Sequence, residues 1–355
     1  MLNKTIAAAV LLAAAAGIFC AARASADRRS ADRTRSATAF AAMQRYFDST
    51  GPVYTDAYPP AGSSSAWSFS QALAATVSLA RTRPAYRPVL ASELELLRYY
   101  QRGDSYTPYP SRGSVYLDDN EWLGQDLVAA YRELGERWTL QRAARIFGVV
   151  TRAWDGDTHD ACSGGVFWTR DPSNSDRNTV STANGALLAL DLYRATNRSR
   201  YLAWAKTMYG WVNRCLAQPD GLYADHVSRT GKVAPAEWSY NQGAMIAAAA
   251  GLYTATGDRA YLAQANAIAQ TALARFEPTN FSGEPSAFVA IFFRDLKRLA
   301  GVSPSVSYRD AAQRYADSRW STVRDPRTGL FHAKGSAATL LDQAAVVELY
   351  AQLSE

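Results

Sequence analysis

Two adjacent carboxylates, Asp118 and Asp119, are the residues of this chain best suited to acid–base chemistry. They stand in the segment Tyr116–Trp122, which also contains an amide and two aromatic rings. If the backbone is helical here, the two carboxyl groups lie roughly 5–6 Å apart, the separation found in retaining glycoside hydrolases. Two close carboxylates repel each other as anions, so one keeps its proton near neutral pH and can act as a general acid. The segment therefore predicts a carbohydrate-cleaving site.

The same segment is also typical of a helix N-terminus. Asp118 is a suitable N-cap residue, and Glu121 can reach back from the third helical position to a free backbone amide. This structural interpretation and the catalytic one are compatible, because one aspartate can cap the helix while both face a cleft. Spacing alone leaves both open.

Further motifs follow along most of the chain. They are Gly164–Trp168, Asn178, Asn184–Gly185, Trp238–Gly243 and Leu341–Ala345. Together with the aspartate pair, their order resembles glycoside hydrolase family 76, the endo-α-1,6-mannanases and their yeast cell-wall relatives. The resemblance implies an all-α fold, an (α/α)6 toroid of helical hairpins. It also implies hydrolysis of internal α-1,6-mannosidic bonds in mannan or lipomannan-type polymers, with retention of configuration.

The resemblance assigns roles to individual residues. Asp118 would be the nucleophile, and Asp119 the general acid that later acts as the base for water. Aromatic faces suit the C–H faces of sugar rings, and amides both donate and accept hydrogen bonds. Packing in the core is the alternative for each aromatic ring, and helix capping is the alternative for the amides. The implied substrate-binding residues are Asn120, Trp122, Trp168, Asn178, Asn184, Trp238, Tyr240, Asn241, Gln242 and Asp342.

The N-terminal segment predicts export. Lys4 precedes an apolar run from Ile6 to Ala22 and a small-residue site at Ala24–Ala26, the pattern of a cleavable secretory signal peptide. We expect residues 1–26 to be removed and the mature protein to be secreted, without stable membrane insertion.

The remainder is expected to comprise a basic N-terminal tail, residues 27–37, and a single catalytic domain, residues 38–355. The net charge of +6 for the whole chain is mild and the basic residues are scattered, which disfavours nucleic acid as a partner. The expected partner is an α-1,6-linked mannose polysaccharide, and a monomer is expected.

Two cysteines, Cys162 and Cys215, remain after removal of residues 1–26. An even pair in an exported chain predicts one disulfide, and two separately buried thiols are the alternative. His159, His226 and His332 are scattered and no Cys/His cluster accompanies them, so we expect neither a metal site nor a cofactor.

Helical hairpins repeat along the chain. Tyr131, Tyr193 and Tyr253 each end an alanine- and leucine-rich run, recur roughly every 60 residues, and are followed one turn later by a glycine or an asparagine. Long connections rich in Gly, Pro, Asp and aromatic residues join the hairpins. Binding residues concentrate on loops held by a rigid scaffold, so we expect the motifs to converge where long loops enter the inner helices.

Three other functions fit parts of this pattern. A transglycosylase would use the same aspartate pair and pass the sugar to another glycan. A mannan-binding toroid would hold the polymer without cleaving it. A sugar epimerase shares the toroidal helices but relies on paired histidines. The scattered histidines of this chain and its signal peptide both disfavour this function. Product analysis with acceptor sugars distinguishes the first of these from a hydrolase.

Overall fold

The computed structural model describes residues 2–47, 51–303, 306–332 and 335–355, without the side chains of residues 2–22, 306 and 307. The helices of this part of the chain are α1 (Leu2–Met43), α2 (Ala66–Thr82), α3 (Arg87–Leu96), α4 (Leu117–Leu134), α5 (Arg137–Arg152), α6 (Thr179–Thr196), α7 (Ser199–Cys215), α8 (Ser239–Thr256), α9 (Arg259–Phe276), α10 (Ser286–Ala300), α11 (Val306–Thr322) and α12 (Leu340–Leu353).

Short strands lie in the connections. They are β1 (Ala57–Tyr58), β2 (Gln101–Arg102), β3 (Ser105–Tyr106), β4 (Asp176–Asn178), β5 (His226–Ser228), β6 (Val233–Ala234) and β7 (Ala338–Thr339). Strand β1 pairs with β7, β2 with β3, and β4, β5 and β6 form a three-stranded antiparallel sheet.

The even-numbered helices form a closed inner ring. Each packs against the next, from α2 through α10, and α12 returns to α2. The odd-numbered helices α3 to α11 pack around this ring, and α1 completes the outer layer against α12. The predicted (α/α)6 toroid of helical hairpins is therefore confirmed.

Burial explains why the inner helix α8 is apolar on nearly every side. In α8 the run Ala244–Ala250 is buried throughout, as expected for a helix surrounded by neighbours. Small residues bring the inner helices close together, since a Cβ at Gly251 of α8 would lie 2.8 Å from Leu190 of α6. The outer helix α5 is amphipathic instead, with Ile146 and Val150 buried on its inner face.

The predicted helix ends are confirmed at all three repeats. The three inner helices α4, α6 and α8 each stop at a residue with left-handed backbone, a conformation that ends helices. Its N–H donates to the carbonyl of the repeated tyrosine: Gly135 to Tyr131, Asn197 to Tyr193 and Gly257 to Tyr253.

Residues 27–37 differ from the expected tail. They are helical and part of α1, and Asp32 is buried. The Arg35 guanidinium lies 5.4 Å from the ring centre of Trp320 and 5.3 Å from that of Tyr350. A planar guanidinium packs well on aromatic faces, so Arg35 is held against α11 and α12, whereas Arg28 and Arg33 are exposed.

The structure describes no side chains for the apolar run of the predicted signal peptide. Among the residues described, none of the helices has the length and apolar character needed to cross a bilayer.

Candidate active site

A cavity of about 590 Å³ opens at one end of the toroid. The starts of α2, α4, α6, α8 and α10 and the segments before them form its wall. Of the predicted site residues, the wall contains Asp118, Asp119, Trp122, Trp168, Asn178, Trp238 and Tyr240. The expected convergence of motifs far apart in sequence is therefore observed for these residues.

The aspartate pair lies in the first turn of α4. The N-cap residue is Tyr116 and no side chain caps this helix, so the capping interpretation of Asp118 and Glu121 is wrong. The Asp118 carboxylate instead accepts hydrogen bonds from the Asp119 backbone N–H at 3.0 Å and from the Trp168 indole N–H at 3.1 Å. The positive end of the helix dipole also favours a negative charge here.

Burial raises the pKa of both aspartates, but only Asp118 has hydrogen bonds that oppose the shift. The pKa of Asp118 is raised to about 6, although its hydrogen bonds from Trp168 and from backbone amides favour the anion. Burial and then the Asp118 charge raise the pKa of Asp119 well above its usual range. The environment therefore favours the anion at Asp118 and the neutral acid at Asp119, the order required of a nucleophile and a general acid.

Glu121 is a third carboxyl group on the same helical turn, and it lies outside the cavity. It is fully buried, and neither of its carboxyl oxygens has a hydrogen-bond partner in the described part of the chain. A Cβ at Gly185 of α6 would lie 3.3 Å from Glu121 Oε1, so the side chain points between two inner helices. Burial and then the Asp118 charge raise the pKa of Glu121 well above its usual range, which favours its neutral form.

Aromatic rings form a continuous cluster in the cavity wall. The ring of Phe288 stacks on Tyr240 with centroids 3.9 Å apart and meets Trp238 at 5.7 Å and Trp67 at 6.4 Å. Trp67 in turn contacts Trp122 at 6.1 Å. Such a surface suits the apolar faces of sugar rings.

The sheet of β4, β5 and β6 places a histidine and further carboxylates at the cavity. His226 Nδ1 lies 2.8 Å from Asp225 Oδ2, and its Nε2 lies 3.7 Å from Asp176 Oδ2. Asn178, opposite His226 in the sheet, has a buried Oδ1 with no hydrogen-bond partner among the described residues. The described cavity wall contains four aspartates and neither lysine nor arginine.

The prediction that Asn120 and Gln242 bind substrate is wrong, because both side-chain amides form hydrogen bonds with backbone groups. Asn120 Oδ1 accepts from the Tyr106 N–H at 2.7 Å and its Nδ2 donates to the Tyr106 carbonyl at 3.0 Å. Gln242 binds the N–H and the carbonyl of Tyr223 in the same way, both at 2.9 Å. Both side chains are fully buried and fasten an incoming loop to an inner helix, so they have no free groups to offer a sugar.

Three further predictions of substrate contact are also corrected. Asn184 is buried outside the cavity lining and accepts from Gln125 at 3.2 Å. Asn241 is buried and donates to Asp225 Oδ1 at 3.2 Å, so it orients a cavity carboxylate without reaching the cavity. Asp342 accepts from the hydroxyl of Thr339, the N-cap of α12, at 2.8 Å, and thus helps to form a helix start.

Several cavity residues were missed by the sequence reasoning, although one signal for them was present. Trp67 begins a Trp-Ser-aromatic-x-Gln sequence that matches the pattern beginning at Trp238, and each opens an inner helix. That internal repeat identifies Trp67 as the counterpart of a predicted cleft residue. No comparable signal distinguishes Asp176 or His226, because only strand register brings them to the wall. The other unpredicted lining residues are Ser65, Pro108, Tyr109, Tyr116, Val180 and Phe288.

The segment Gly164–Trp168 places the indole that binds Asp118. The Trp168 carbonyl accepts from the Leu117 N–H at 2.8 Å, which ties it to the start of α4. Just before the segment, the Cys162 carbonyl accepts a hydrogen bond from the Trp211 indole N–H at 3.0 Å, and Cys162 forms a disulfide with Cys215 of α7. The segment is therefore anchored at both ends.

Gly165→Ala is expected to destabilise the protein and to lower activity. Gly165 has a φ of +85°, and a Cβ there would lie 2.5 Å from the Trp211 ring. We expect a loss of about 1–3 kcal/mol in the free energy of unfolding, with a reduced kcat/KM because Trp168 is displaced from Asp118. Denaturant unfolding and kinetics measure both effects. Gly156→Ala is the matched control, since a Cβ there meets nothing within 4 Å, and equal stability of the two variants would contradict this packing.

Known proteins were compared with the chain through family models, sequences and solved structures. The model of glycosyl hydrolase family 76 matches residues 30–347. A mannan endo-1,6-alpha-mannosidase of Saccharomyces cerevisiae is 33% identical over 177 residues, covering 44% of this chain and 38% of that relative. A mannan endo-1,6-alpha-mannosidase of Candida albicans is 30% identical over 198 residues, covering 50% and 43%. The chain thus spans less than half of the length of these relatives.

Solved structures share the whole fold. The family 76 mannosidase of Bacteroides thetaiotaomicron has a TM-score of 0.82 at 24% identity, covering 91% of this chain and 98% of that chain. The alpha-1,6-mannanase of Salegentibacter has a TM-score of 0.77 at 20% identity, covering 91% and 100%. An inactive variant of the latter, with two aspartates replaced by asparagine, is in complex with α-1,6-mannotriose. The match of the family model over most of the sequence, together with this shared fold, shows that the chain belongs to glycosyl hydrolase family 76.

Proposed function

We propose that this protein is an endo-α-1,6-mannanase that cleaves internal bonds of mannan with retention of configuration. The observation that carries the proposal is the pair Asp118 and Asp119 at an open cavity, where hydrogen bonds from Trp168 and a backbone amide favour the anion at Asp118 and burial raises the pKa of Asp119. The relatives in yeast and Salegentibacter act on α-1,6-linked mannan by name, which supports the same linkage here.

The cavity wall supports a neutral glycan as the substrate. Asp118, Asp176 and Asp225, with neither lysine nor arginine in the described wall, disfavour anionic polymers through repulsion. The aromatic cluster around Phe288 offers faces for sugar rings, and the unpaired Oδ1 of Asn178 can accept a hydrogen bond from a hydroxyl group.

In the first chemical step, an Asp118 oxygen attacks the anomeric carbon of a mannosyl unit and the glycosidic C–O bond breaks. Asp119 gives its proton to the departing O6 of the next unit. In the second step, Asp119, now ionised, takes a proton from water, whose oxygen attacks the same carbon and releases Asp118. Two inversions at one carbon give net retention.

We expect a bell-shaped pH dependence of kcat/KM. Activity should fall as the pH drops through about 6, because protonated Asp118 cannot attack, and should fall again at high pH, where Asp119 loses its proton. Trp168→Phe removes a hydrogen bond that lowers the pKa of Asp118, so its acid limb should move to higher pH. Trp204→Phe, on the outer helix α7, is the control and should leave the profile in place. An acid limb unmoved in Trp168→Phe would contradict the role of this bond.

Product analysis with linear α-1,6-mannan tests the proposed activity. Ladders of oligosaccharides together with new reducing ends are the expected result. Products longer than the substrate when acceptor sugars are added would indicate transglycosylation instead. Binding of mannan by the folded protein without any products would overturn the proposal and favour a non-catalytic toroid.

We further propose that the natural substrate is a mannan or a lipomannan-type polymer outside the cytoplasm, and that the protein is secreted through cleavage after residue 26. The apolar segment before Ala24–Ala26 supports export. The Cys162–Cys215 disulfide supports an oxidising compartment. Mass spectrometry of protein recovered from the culture medium would test it, and a mature form beginning at residue 27 is expected.

A further inference from the structure

A second cavity, of about 380 Å³, lies on the outer wall of the toroid between α3 and α5. It shares no lining residue with the active-site cavity. Its rim carries Trp138, whose surface is 39% exposed. The other exposed tryptophan among the described residues, Trp168, lines the active site, so Trp138 is an exposed indole that the catalytic cavity does not explain.

The base of this second cavity is fixed by hydrogen bonds. Arg142 is 7% exposed and donates to the carbonyl of Gly103 at 2.8 Å, to that of Ser105 at 3.2 Å and to the Tyr106 hydroxyl at 3.1 Å. Its guanidinium also lies 4.6 Å from the centre of the Tyr106 ring. The hairpin of β2 and β3 is thus held to α5, and the cavity is preformed.

The rim offers the groups that recognise hydroxyls. Gln141 and Arg145 are exposed on the same face of α5 as Trp138, and neither makes a hydrogen bond or ion pair with another described residue. Amides and guanidinium groups can bind sugar hydroxyls while an indole packs on the C–H face of the ring.

The lining of this cavity is basic, with the guanidinium groups of Arg98, Arg142 and Arg145 against the one carboxylate of Glu95. Arg98 lies 3.9 Å from Glu95 in an ion pair, and all three guanidinium nitrogens of Arg142 donate to oxygens of the hairpin. Arg145 is left as the one lining cation without a partner in the described chain. An exposed indole beside one free amide and one free guanidinium matches a sugar ring with its hydroxyl groups, and an anionic polysaccharide is the competing ligand that the experiment separates.

We propose that Trp138, Gln141 and Arg145 form a second carbohydrate-binding site that holds a stretch of neutral mannan on the outer wall of the enzyme. This inference rests on the proposed function for its choice of polymer. The site adds affinity for long chains and takes no part in bond cleavage, because it shares no residue with the catalytic cavity.

Trp138→Ala tests the site through chain length. The variant should raise the KM for linear α-1,6-mannan about threefold to tenfold, the loss expected for one stacked ring, while kcat/KM for mannotetraose stays at the wild-type value. Gel electrophoresis through mannan, with Asp118→Asn as the parent to prevent cleavage, should show less retardation when Trp138→Ala is added. Trp138→Phe should retain part of the retardation because a ring remains.

Arg137→Ala is the matched control, since Arg137 neighbours Trp138 on α5 and does not line the cavity. Equal retardation of the Trp138→Ala protein and its parent would overturn the site, as would a loss of activity shared by mannotetraose and polymer. If Trp138→Ala reduces retardation in a gel that contains an anionic polysaccharide but not in a gel that contains mannan, the proposed ligand class is wrong. Failure of the wild type to cleave linear α-1,6-mannan, with Trp138-dependent retardation in mannan, would overturn the proposed function and support the second site.

Discussion

Replacing either Asp118 or Asp119 by asparagine is expected to lower kcat/KM on linear α-1,6-mannan by about 10³-fold or more. An amide at position 118 cannot form the glycosyl-enzyme bond, and an amide at position 119 has no acidic proton for the departing O6. Both side chains are at the cavity rather than in the packed core, so the variants should stay folded. Kinetics on the polymer, with thermal unfolding recorded alongside, measure the loss.

A substrate with an activated leaving group separates the two roles. An aryl α-mannoside needs no proton on departure, so Asp119→Asn should form the intermediate at a nearly normal rate while Asp118→Asn should not. Asp258→Asn is the control, since Asp258 is an exposed N-cap of α9 and asparagine caps equally well. Near-normal turnover of mannan by either active-site variant would contradict the assignment.

Replacing Cys162 and Cys215 together by serine is expected to lower the free energy of unfolding by about 4 kcal/mol, because the disulfide closes a loop of 53 residues. This loop contains β4 and the segment that carries Trp168, so its opening also loosens the active-site wall. Denaturant unfolding under oxidising conditions measures the change.

Reduction provides the internal control for that change. A reducing agent should destabilise the wild type and leave the serine variant unaffected. Equal unfolding midpoints for the wild type and the serine variant would show that the cross-link contributes nothing to stability.

Much of the fold could be predicted from local chemistry. The repeated tyrosines with a glycine or asparagine one turn later mark helix ends as expected, because glycine and asparagine adopt the left-handed conformation more readily than other residues. The apolar runs of residues 288–299 and 340–353 also predict helices, and α10 and α12 begin and end within two residues of these limits. The packing of Arg35 could not be predicted, because its aromatic partners lie near the other end of the sequence.

The candidate site was predictable where a side chain reaches the cavity directly from an inner helix, as for Asp118 and Tyr240. Residue type could not reveal whether an amide faces a sugar or the backbone. Gln242 has the chemistry of a ligand-binding residue, and only the structure shows that Tyr223 uses both of its polar atoms. Asp176 and His226 were not predicted as site residues, because only the pairing of β4 with β5 brings them together.

Proton NMR of the anomeric signals during cleavage of α-1,6-mannan tests the central claim most directly. If Asp118 forms a glycosyl-enzyme intermediate and Asp119 then activates water, the first reducing ends to appear must be α-anomers, with β-anomers arising later by mutarotation. Initial appearance of β-anomers would show a single inversion and would contradict the assigned roles of the aspartate pair.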